Sequence, residues 1–515
     1  MVRLCPFKQL FGHASPKIFA VFVLAILALM GLNYLNIGQL RQVNEKHLRI
    51  YHHVNLKDLE RIQEPNRAAC PPCPNYWLYA PHADSGYLEH VMKVFKRVGY
   101  MRGDKDSEWD VLWSYNYPFV KLQAILENLA SHQKVNHFPG LGYITNKGNL
   151  VASNFSYIPK AFRMPEQKEE FLLETKKHAD KLWVEKSNLH RGIRIMSLQE
   201  LDLNSRGTFM QEFITHPLLI DGRKFDIGVY TILTSIKPLR VYTYQEEVML
   251  RFCSHEYYPF DPTDVKKYVV ADDYTPTWEM PSLQTAYNHM KFSHKQSLNF
   301  YLQKRGHHPE KLWSQIRNAI QELFLMKELQ LIKSASNYKS TRNFFELIRC
   351  DFVVDEDMKV YLMEVNMSPN LSSKHAPLNK NIYQQVVFST LNLVGVAKRI
   401  VRSEKERSDE ASEMLVNERD IQIYPEHCIE NCTSCDTKRC RLCGQCLSTR
   451  LKPALEEAFL EHVNRGNTRR VVPQPMSQQD MQRYQPLEDS RLTEANQLMA
   501  WWFRGKCLQD AGWCM

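Results

Sequence analysis

The sequence predicts an α+β protein, because short apolar strands and amphipathic helical segments alternate along it without a regular repeat. Its 515 residues, 44% of them hydrophobic, are enough to bury a sizeable core and to form two or three domains. Charged residues make up 24% of the chain, which excludes a disordered or fibrous class. The predicted helical regions are 87–98, 284–335 and 383–402, and the predicted strands are 109–113, 182–186, 193–196, 209–214, 227–235, 240–244 and 248–252.

The stretch 344–371 contains two further strands joined at an acidic turn. Glu364 and Asn366 are two residues apart, so their side chains leave the same face of the second strand. Asp351 joins them if the hairpin pairs it with Leu362 or with Glu364, whereas a slip of one residue would turn it to the other face. Two carboxylates and an amide oxygen suit a hard cation such as Mg²⁺ carrying nucleotide phosphates. The alternative is a solvated acidic hairpin, but an unpaired carboxylate within an apolar strand is costly.

Two cationic positions indicate an anionic ligand. Lys186 ends a predicted strand beside the glycine loop 187–192 and can approach a phosphate as a point charge. A solvated basic turn is the alternative, since the chain contains neither GxxxxGK[ST] nor GxGxxG. Arg251 lies inside an apolar strand, where a guanidinium is expensive unless an anion meets it.

An uncharged apolar run at about 18–35 is long enough to cross a bilayer as a helix. A cleaved signal peptide is the alternative, although its apolar core is normally shorter, at roughly 7–15 residues. The sequence therefore predicts a single-pass membrane protein. Basic residues flank the run equally on both sides, so the side of the membrane that the rest of the chain occupies stays open.

A dense group of cysteines follows the spacing C-x3-C-x2-C-x4-C-x2-C-x2-C. This density indicates either thiolate-bound Zn²⁺ or a disulfide-linked cluster, and the compartment decides between them. Sequons at Asn154 and Asn431 would accept glycans only in a lumenal compartment. The candidate Zn²⁺ ligands are Cys428, Cys432, Cys435, Cys440, Cys443 and Cys446.

The formal charge of +9 favours acidic partners but is too dilute to indicate nucleic acid. The composition changes along the chain predict a sequence of segments with different roles. They are an N-terminal segment with the membrane anchor (1–40), a connector (41–75), the main domain (76–402), a charged linker (403–427), the cysteine cluster (428–446) and a tail without a readable motif (447–515).

Several motifs occur together and in a fixed order: NHFPG at 136–140, the lysine before the glycine loop, KFD at 224–226 and EVNMSP at 364–369. In this combination the chain resembles the tubulin–tyrosine ligase-like family over about 109–396. The resemblance implies an ATP-grasp ligase core, in which ATP activates a carboxylate as an acyl phosphate. The amine of an incoming amino acid then attacks that acyl phosphate. The resemblance also implies tubulin acidic tails as the acceptor and glutamate as the amino acid.

The resemblance further implies roles for individual residues. Lys186, Arg191 and Gly192 would contact the ATP phosphates. Adenine would be held by Gln211, Glu212, Phe213 and Ile214, and the nucleotide would be flanked by Lys224, Phe225 and Asp226. Mg²⁺ would be bound by Asp351, Glu364 and Asn366, and catalysis would depend on Arg251 and Glu364, with Arg251 facing the reacting anions.

The chain departs from the family pattern where the amino acid and the acceptor would bind. Gly228 stands where the family has an arginine after KFD, and Tyr383 stands where a lysine is expected. Asp272 and Asp273 replace an expected Thr-Asn pair. Because these changes remove cationic or amide groups, the sequence predicts weak use of glutamate or use of another amino acid. The ATP and Mg²⁺ half of the site is predicted to be intact.

Three functions are compatible with this sequence. A membrane-anchored ligase that glutamylates tubulin tails is favoured, and its catalytic domain would have to face the cytosol. The second is an ATP-grasp ligase with another amino acid or protein acceptor. The third is a non-catalytic nucleotide-binding adaptor that uses the cysteine-rich tail for partner contacts.

Overall fold

A computed structural model describes residues 73–153, 155–187, 193–195, 201–397, 414–476 and 492–514. Within these residues the strands form three sheets with helices packed around them, which confirms the mixed α and β content. Several predictions lie outside the described residues. They are the N-terminal segment with its anchor at 18–35, the connector up to residue 72, Asn154, Arg191, Gly192 and the linker from 403 to 413.

The prediction of a single-pass membrane protein is corrected. In the part of the chain that the structure describes, no helix combines the length and the apolar character needed to span a bilayer.

The first sheet contains four parallel strands. Helix α1 (Glu89–Arg97) lies between its first two strands in the chain and buries Val91, Val94 and Phe95 at helical spacing. The strands, in the spatial order β2-β1-β3-β4, are β1 (Asn75–Tyr79), β2 (Met101–Gly103), β3 (Val111–Ser114) and β4 (Lys134–Val135). The short helices nearby are α2 (Gln123–Leu126), α3 (Gly142–Thr145) and α4 (Lys147–Val151).

The second sheet is antiparallel and small. Its core is aromatic, because helix α5 (Lys168–Lys177) packs Phe171 against Phe162 and Trp183. The strands, in the spatial order β5-β8-β6-β7, are β5 (Ala161–Arg163), β6 (Trp183–Ser187), β7 (Arg194–Ile195) and β8 (Thr208–Glu212). Pairing of β6 with β8 places Lys186 close to Gln211.

The largest sheet is organised around β10 (Arg223–Ile236), a strand of fourteen residues. Successive parts of β10 pair with four different strands, so it lies in the centre of the sheet. Its neighbours are β9 (Leu219–Ile220), β11 (Leu239–Tyr244), β12 (Met249–Phe252) and β14 (Glu346–Val354). The outer strands are β13 (Thr275–Pro276), β15 (Val360–Asn366) and β16 (Thr468–Val472).

The helical region predicted at 284–335 is divided in the structure. Ser293 caps helix α7 (His294–Lys304) through its side chain, and Pro309 begins helix α8 (Pro309–Ser334). A shorter helix, α6 (Pro281–Gln284), precedes them. Apolar residues of α8 such as Ile316, Ile320 and Leu323 belong to the same core as β10. The long helix therefore covers one face of the largest sheet.

Helix α9 (Lys380–Leu393) ends well before residue 402, where the sequence predicted its end. The reason is local, because Gly395 has a left-handed φ of +77°. The Ala397 N–H then bonds the Leu391 carbonyl oxygen at 3.0 Å, which satisfies a terminal carbonyl of the helix.

The C-terminal tail, predicted to lack a motif, folds as part of the protein. It contributes α11 (Leu451–Asn464) and α12 (Glu494–Gln509), which surround a core that includes Leu455, Met499 and Trp502. Helix α10 (Pro425–Asn431) precedes the tail, where the predicted linker meets the cysteine cluster. Strand β16 of this C-terminal module (residues 414–514 where described) pairs with β11 and thereby extends the largest sheet. The tail is consequently continuous with the main domain.

A buried ion pair joins the C-terminal module to the largest sheet. Arg240 on β11 is fully buried and donates to the Glu461 carboxylate through Nε at 2.8 Å and Nη2 at 3.0 Å. The Tyr242 hydroxyl donates to the same carboxylate at 2.9 Å, and Glu457 accepts from Arg240 at 3.0 Å. A guanidinium this deep depends on its partners, because desolvation would otherwise be prohibitive.

The six cysteines of the cluster form three disulfides: Cys428–Cys443, Cys432–Cys440 and Cys435–Cys446. A fourth disulfide, Cys507–Cys514, lies in the same module. His427 approaches two of these sulfurs, but a sulfur engaged in a disulfide is not a thiolate ligand. The Zn²⁺ alternative for this cluster is therefore corrected in favour of the disulfide alternative.

We expect Glu461→Ala to lower the free energy of unfolding by about 3–5 kcal/mol, because Arg240 would stay buried without its main partner. Denaturant titration of the full chain measures this loss. The double variant Arg240→Met, Glu461→Leu should recover most of it, since an apolar pair can replace a buried ion pair. Glu430→Ala, at an exposed position of α10, is the control. A loss below about 1 kcal/mol for Glu461→Ala would contradict the role of this pair.

Reduction should expose at least eight additional thiols, because four disulfides involve eight cysteines. Alkylating the unfolded protein before and after reduction counts them, and mass spectrometry of unreduced peptides identifies the pairs. Bound Zn²⁺ together with free thiols at 428–446 would show that the disulfide assignment is wrong.

Candidate active site

Four neighbouring strands place acidic and basic side chains on one face of the largest sheet. Asp226 on β10 lies opposite Arg251 on β12. Asp351 on β14 lies opposite Glu364 on β15, which is one of the two registers that the metal-site prediction allowed. A register shift follows Asp351, so the hairpin is irregular at this point. Asn366, two residues beyond Glu364, completes the predicted group on the same face.

The Asp351 carboxylate is the most heavily contacted group of this face. Its side chain is 2% exposed, and Arg349 binds it through Nε at 2.6 Å and Nη2 at 2.8 Å. Arg251 Nη2 donates to it at 3.0 Å, and Asn366 Nδ2 donates at 2.9 Å. Arg251 also makes two bonds to Asp226, at 2.7 and 3.0 Å. The anion that Arg251 was predicted to meet is therefore provided, in this structure, by two aspartates.

Glu364 has a separate cationic partner, which sequence reasoning did not assign. Lys147, at the start of α4, lies 2.9 Å from the Glu364 carboxylate. Burial opposes ionisation of Glu364, but the Lys147 ammonium and the hydrogen bonds from Lys147 and Asn366 lower its pKa to about 2. Glu364 is thus a carboxylate at every physiological pH.

The predicted metal ligands are close enough together to share one ion. The Asn366 amide donates to Asp351 at 2.9 Å and to Glu364 at 3.1 Å, so both carboxylates converge on this amide. Rotation of the amide by half a turn would place its carbonyl oxygen there instead. Two carboxylates and an amide oxygen are hard ligands of the kind that Mg²⁺ takes. The donor set therefore fits the predicted ion.

A cavity of about 230 Å³ runs from this face toward the second sheet. Its apolar walls include Leu150, Ile158, Val184, Phe213 and Leu362, and its charged end includes Lys147, Lys186, Lys224, Arg251, Asp351 and Glu364. An apolar slot that opens onto cations and carboxylates matches the two ends of a nucleotide.

Lys186 and Lys224, the two lysines predicted to contact the nucleotide, both border this cavity. Lys186 Nζ donates to the Gln211 amide oxygen at 2.7 Å. Burial, together with the charges of Lys147 and Lys224, lowers the pKa of Lys186 to about 7. Lys224 Nζ donates to the Tyr268 carbonyl oxygen at 3.1 Å and lies 5.0 Å from the centre of the Phe213 ring. Burial likewise lowers the pKa of Lys224.

The residues predicted to hold adenine differ in what their side chains do. Gln211 is buried and bonded to Lys186, and the Glu212 carboxylate lies 3.0 Å from Lys181 Nζ. Phe213 and Ile214 line the cavity with Gln211 and Glu212. Phe225 also borders it and packs against Phe252, with ring centres 5.2 Å apart.

The NHFPG motif makes its hydrogen bonds with buried groups of the protein. The ring of His137 lies 2.8 Å from Glu346 through Nδ1 and 2.9 Å from the Ser114 carbonyl oxygen through Nε2. Glu346, fully buried, also accepts from the Phe138 N–H at 2.9 Å. This network ties β3 and β4 to β14, the strand that bears Asp351.

The departures from the family pattern have different structural outcomes. Asp272 and Asp273 are exposed, and Asp273 pairs with Lys266 at 3.2 Å. Tyr383 is buried on α9. At Gly228, a Cβ would lie only 2.8 Å from Arg349 Cδ and 3.0 Å from Arg349 Nε. A cation from the neighbouring strand therefore fills the space that a side chain at Gly228 would need.

Sequence reasoning missed Arg349, although a signal was present. It lies within an apolar strand, as Arg251 does, and two residues before Asp351 on the same face. The argument that assigned an anion to Arg251 applied equally to Arg349.

Comparison with known proteins gives consistent matches. The sequence profile of the tubulin-tyrosine ligase family matches residues 124–406. A probable tubulin polyglutamylase of Caenorhabditis elegans, ttll-15, is 41% identical over 446 residues, which are 84% of this chain and 85% of that protein. Human tubulin monoglutamylase TTLL4 is 25% identical over 374 residues, which are 68% of this chain and 29% of that protein. Human tubulin polyglutamylase TTLL6 is 25% identical over 349 residues, 62% of this chain and 38% of that protein.

The pKa of Lys186 gives a testable proton linkage. At pH 8 a lysine with a pKa of about 7 is mostly neutral, and a bound phosphate raises the pKa because it favours the ammonium. We expect ATP binding to take up protons at pH 8 and fewer at pH 6, where Lys186 is already charged. Calorimetry in buffers with different ionisation heats measures the uptake. Lys186→Arg should reduce it and Lys224→Arg is the matched comparison; unchanged uptake in Lys186→Arg would refute the assignment.

Proposed function

The chain belongs to the tubulin–tyrosine ligase family, and on that premise we propose that it is an ATP-dependent carboxylate–amine ligase. Its substrate would be a side-chain carboxylate of the acidic tails of tubulin, to which it joins glutamate. The observation that supports this proposal best is the arrangement on the largest sheet. Asp351, Glu364 and Asn366 converge at the charged end of the cavity, beside Arg251.

In this proposal the cavity binds ATP with its adenine against the apolar walls. The segment Gln211–Ile214 borders the base, and Lys186 and Lys224 lie toward the phosphates. Arg191 and Gly192 would add contacts from the loop after β6. Phosphate binding suits Lys186 in particular, because its ammonium loses the surrounding water without gaining a carboxylate hydrogen-bond partner among the residues that the structure describes.

Mg²⁺ would be held by Asp351, Glu364 and Asn366. Asp226 lies close to this group, because Arg251 bonds both Asp226 and Asp351. The ion would offset the negative charge of the ATP phosphates. Phosphoryl transfer depends on positioning and on charge neutralisation rather than on a covalent catalyst. The proposal accordingly requires no nucleophilic serine or cysteine.

The reaction has two steps. An oxygen of the acceptor carboxylate attacks the γ-phosphorus of ATP, the bond to the bridging oxygen breaks, and ADP leaves. The amine of the amino acid, after its ammonium has lost one proton to water, then attacks the acyl carbon. The carbon–oxygen bond to phosphate breaks, the amide forms, and a second proton leaves with the phosphate. Arg251, which borders the cavity beside Asp351, is positioned to neutralise the transferring phosphoryl group.

The choice of tubulin rests on the three relatives, which are a probable tubulin polyglutamylase, a tubulin monoglutamylase and a tubulin polyglutamylase. The formal charge of +9 is compatible with an acidic acceptor. One observation favours a second candidate, the same reaction on another acidic protein. Four disulfides persist most readily in an oxidising compartment, whereas tubulin polymers occupy the reducing cytosol.

We expect the purified chain to hydrolyse ATP in an amino-acid-dependent manner with glutamate preferred, and to modify tubulin. Glu364→Gln should lower ligation at least about a hundredfold with little change in unfolding, because one negative ligand is lost while the shape is kept. Glu169→Gln, exposed on α5, is the control. The assay follows ADP release and mass shifts on tubulin and on an unrelated acidic peptide.

The outcomes of this assay separate the candidates. Modification of the acidic peptide but not of tubulin would favour the second candidate. ATP binding without turnover for any of the twenty amino acids would mean a nucleotide-binding adaptor. A Glu364→Gln variant within a few-fold of the wild type would remove Glu364 from the metal site.

A further inference from the structure

Arg349 has more hydrogen-bonding capacity than the chain uses. It is 5% exposed on β14, and its two bonds to Asp351 involve Nε and Nη2. Nη1 makes no hydrogen bond with any residue in the described ranges. The Asp351 carboxylate is also shared with Arg251 and Asn366, whereas Arg251 has Asp226 as a carboxylate of its own. Two guanidiniums therefore compete for one carboxylate at this point of the sheet.

Gly228 makes the position of Arg349 possible. Asp351 pairs across the strands with Gly228, and Tyr230 pairs with Arg349. The aliphatic part of the Arg349 side chain lies directly over Gly228, since a Cβ there would be 2.8 Å from Arg349 Cδ. Any larger residue at 228 would collide with this side chain. The guanidinium is thus held over the sheet in a space that only glycine leaves open.

A second donor without an acceptor lies beside Arg349. Tyr230 is fully buried, and its hydroxyl has no hydrogen-bond partner among the residues that the structure describes. Directly opposed residues of antiparallel strands project on the same side of the sheet. A buried hydroxyl without a partner carries a desolvation cost. Tyr230 and Arg349 therefore both offer donors to a group from outside the chain.

The position of this pair along the sheet indicates which substrate would meet it. Val353, Asp351 and Arg349 follow one another on the same face of β14, and only the first two border the nucleotide cavity. Arg349 is two residues before Asp351 on β14 and lies beyond the end of the cavity where the phosphates would bind. A second substrate bound on this side would lie next to the acyl phosphate.

We propose that Arg349, with the Tyr230 hydroxyl, binds a carboxylate of the incoming amino acid beyond the phosphate end of the cavity. This inference rests on the proposed ligase function and names a substrate-binding residue for it. It also replaces the prediction of weak glutamate use or use of another amino acid, because Arg349 supplies a cation that the prediction did not consider. A guanidinium and a hydroxyl match the planar, multiply accepting carboxylate of glutamate.

Arg349→Gln, which keeps part of the side chain and one amide donor, is the first test. We expect the KM for glutamate to rise about ten- to a hundredfold, the range for one lost charge-assisted contact. The Kd of a non-hydrolysable ATP analogue with Mg²⁺, measured by calorimetry, should change less than threefold. Tyr230→Phe should raise the KM for glutamate by a smaller factor. Arg163→Ala, at an exposed position of β5, is the control for loss of an arginine.

The second test moves the arginine from β14 to the neighbouring strand β10. Arg349→Gly should bind glutamate poorly, and the double variant Gly228→Arg, Arg349→Gly should recover it, because the guanidinium then starts from the neighbouring strand. Gly228→Arg alone should lower the melting temperature, since its Cβ would meet Arg349 Cδ at 2.8 Å.

Three results would overturn this inference, and a fourth would overturn the proposed function instead. Equal weakening of glutamate and of the ATP analogue by Arg349→Gln would mean that Arg349 only positions Asp351. A double variant that folds and binds the ATP analogue, yet uses glutamate no better than Arg349→Gly, would also overturn the inference. If the wild-type chain uses no amino acid at all, the proposed ligase function fails instead. If it uses glutamate and the Arg349 variants keep its KM, only this inference fails.

Discussion

The buried carboxylate of Asp351 is the constraint on which the candidate site depends. Asp351 is 2% exposed, and a charge buried to this extent is costly unless it is paired; its carboxylate receives hydrogen bonds from Arg349, Arg251 and Asn366. These partners come from three different strands. The register of β10, β12, β14 and β15 is therefore tied to this one group. Gly228 belongs to the same constraint, because its missing side chain leaves the room in which Arg349 reaches Asp351.

The charges around Asp351 are balanced before any substrate arrives. The carboxylates of Asp226, Asp351 and Glu364 face the cations of Arg251, Arg349 and Lys147. A metal ion that took up the carboxylates would leave the cations in need of other anions. Phosphate and carboxylate groups of the substrates would then replace internal ion pairs, so binding would exchange one set of charge-assisted bonds for another. This exchange explains why a site rich in charge can be built inside an apolar sheet.

The sequence allowed correct predictions where the two-residue alternation of a strand, or the cost of burying a charge, determined which side chains lie together. The two-residue alternation of β15 placed Glu364 with Asn366, and the cost of a buried guanidinium led from Arg251 to its aspartates. Arg349 was missed although the same cost applied to it. Lys147 could not be assigned, because its contact with Glu364 joins residues more than two hundred positions apart. The pairing of β16 with β11 was likewise invisible, since no local pattern records which strand a distant segment joins. The predicted helix α9 extended too far, because the prediction did not consider that Gly395 could end the helix.

The most direct test of this account is a crystal structure of the full chain with Mg²⁺, a non-hydrolysable ATP analogue and glutamate. The account predicts Asp351, Glu364 and Asn366 around the ion, the adenine against the apolar walls of the cavity, and a glutamate carboxylate on the Arg349 guanidinium. A metal ion bound elsewhere, or glutamate bound away from Arg349 with both of its bonds to Asp351 unchanged, would contradict it.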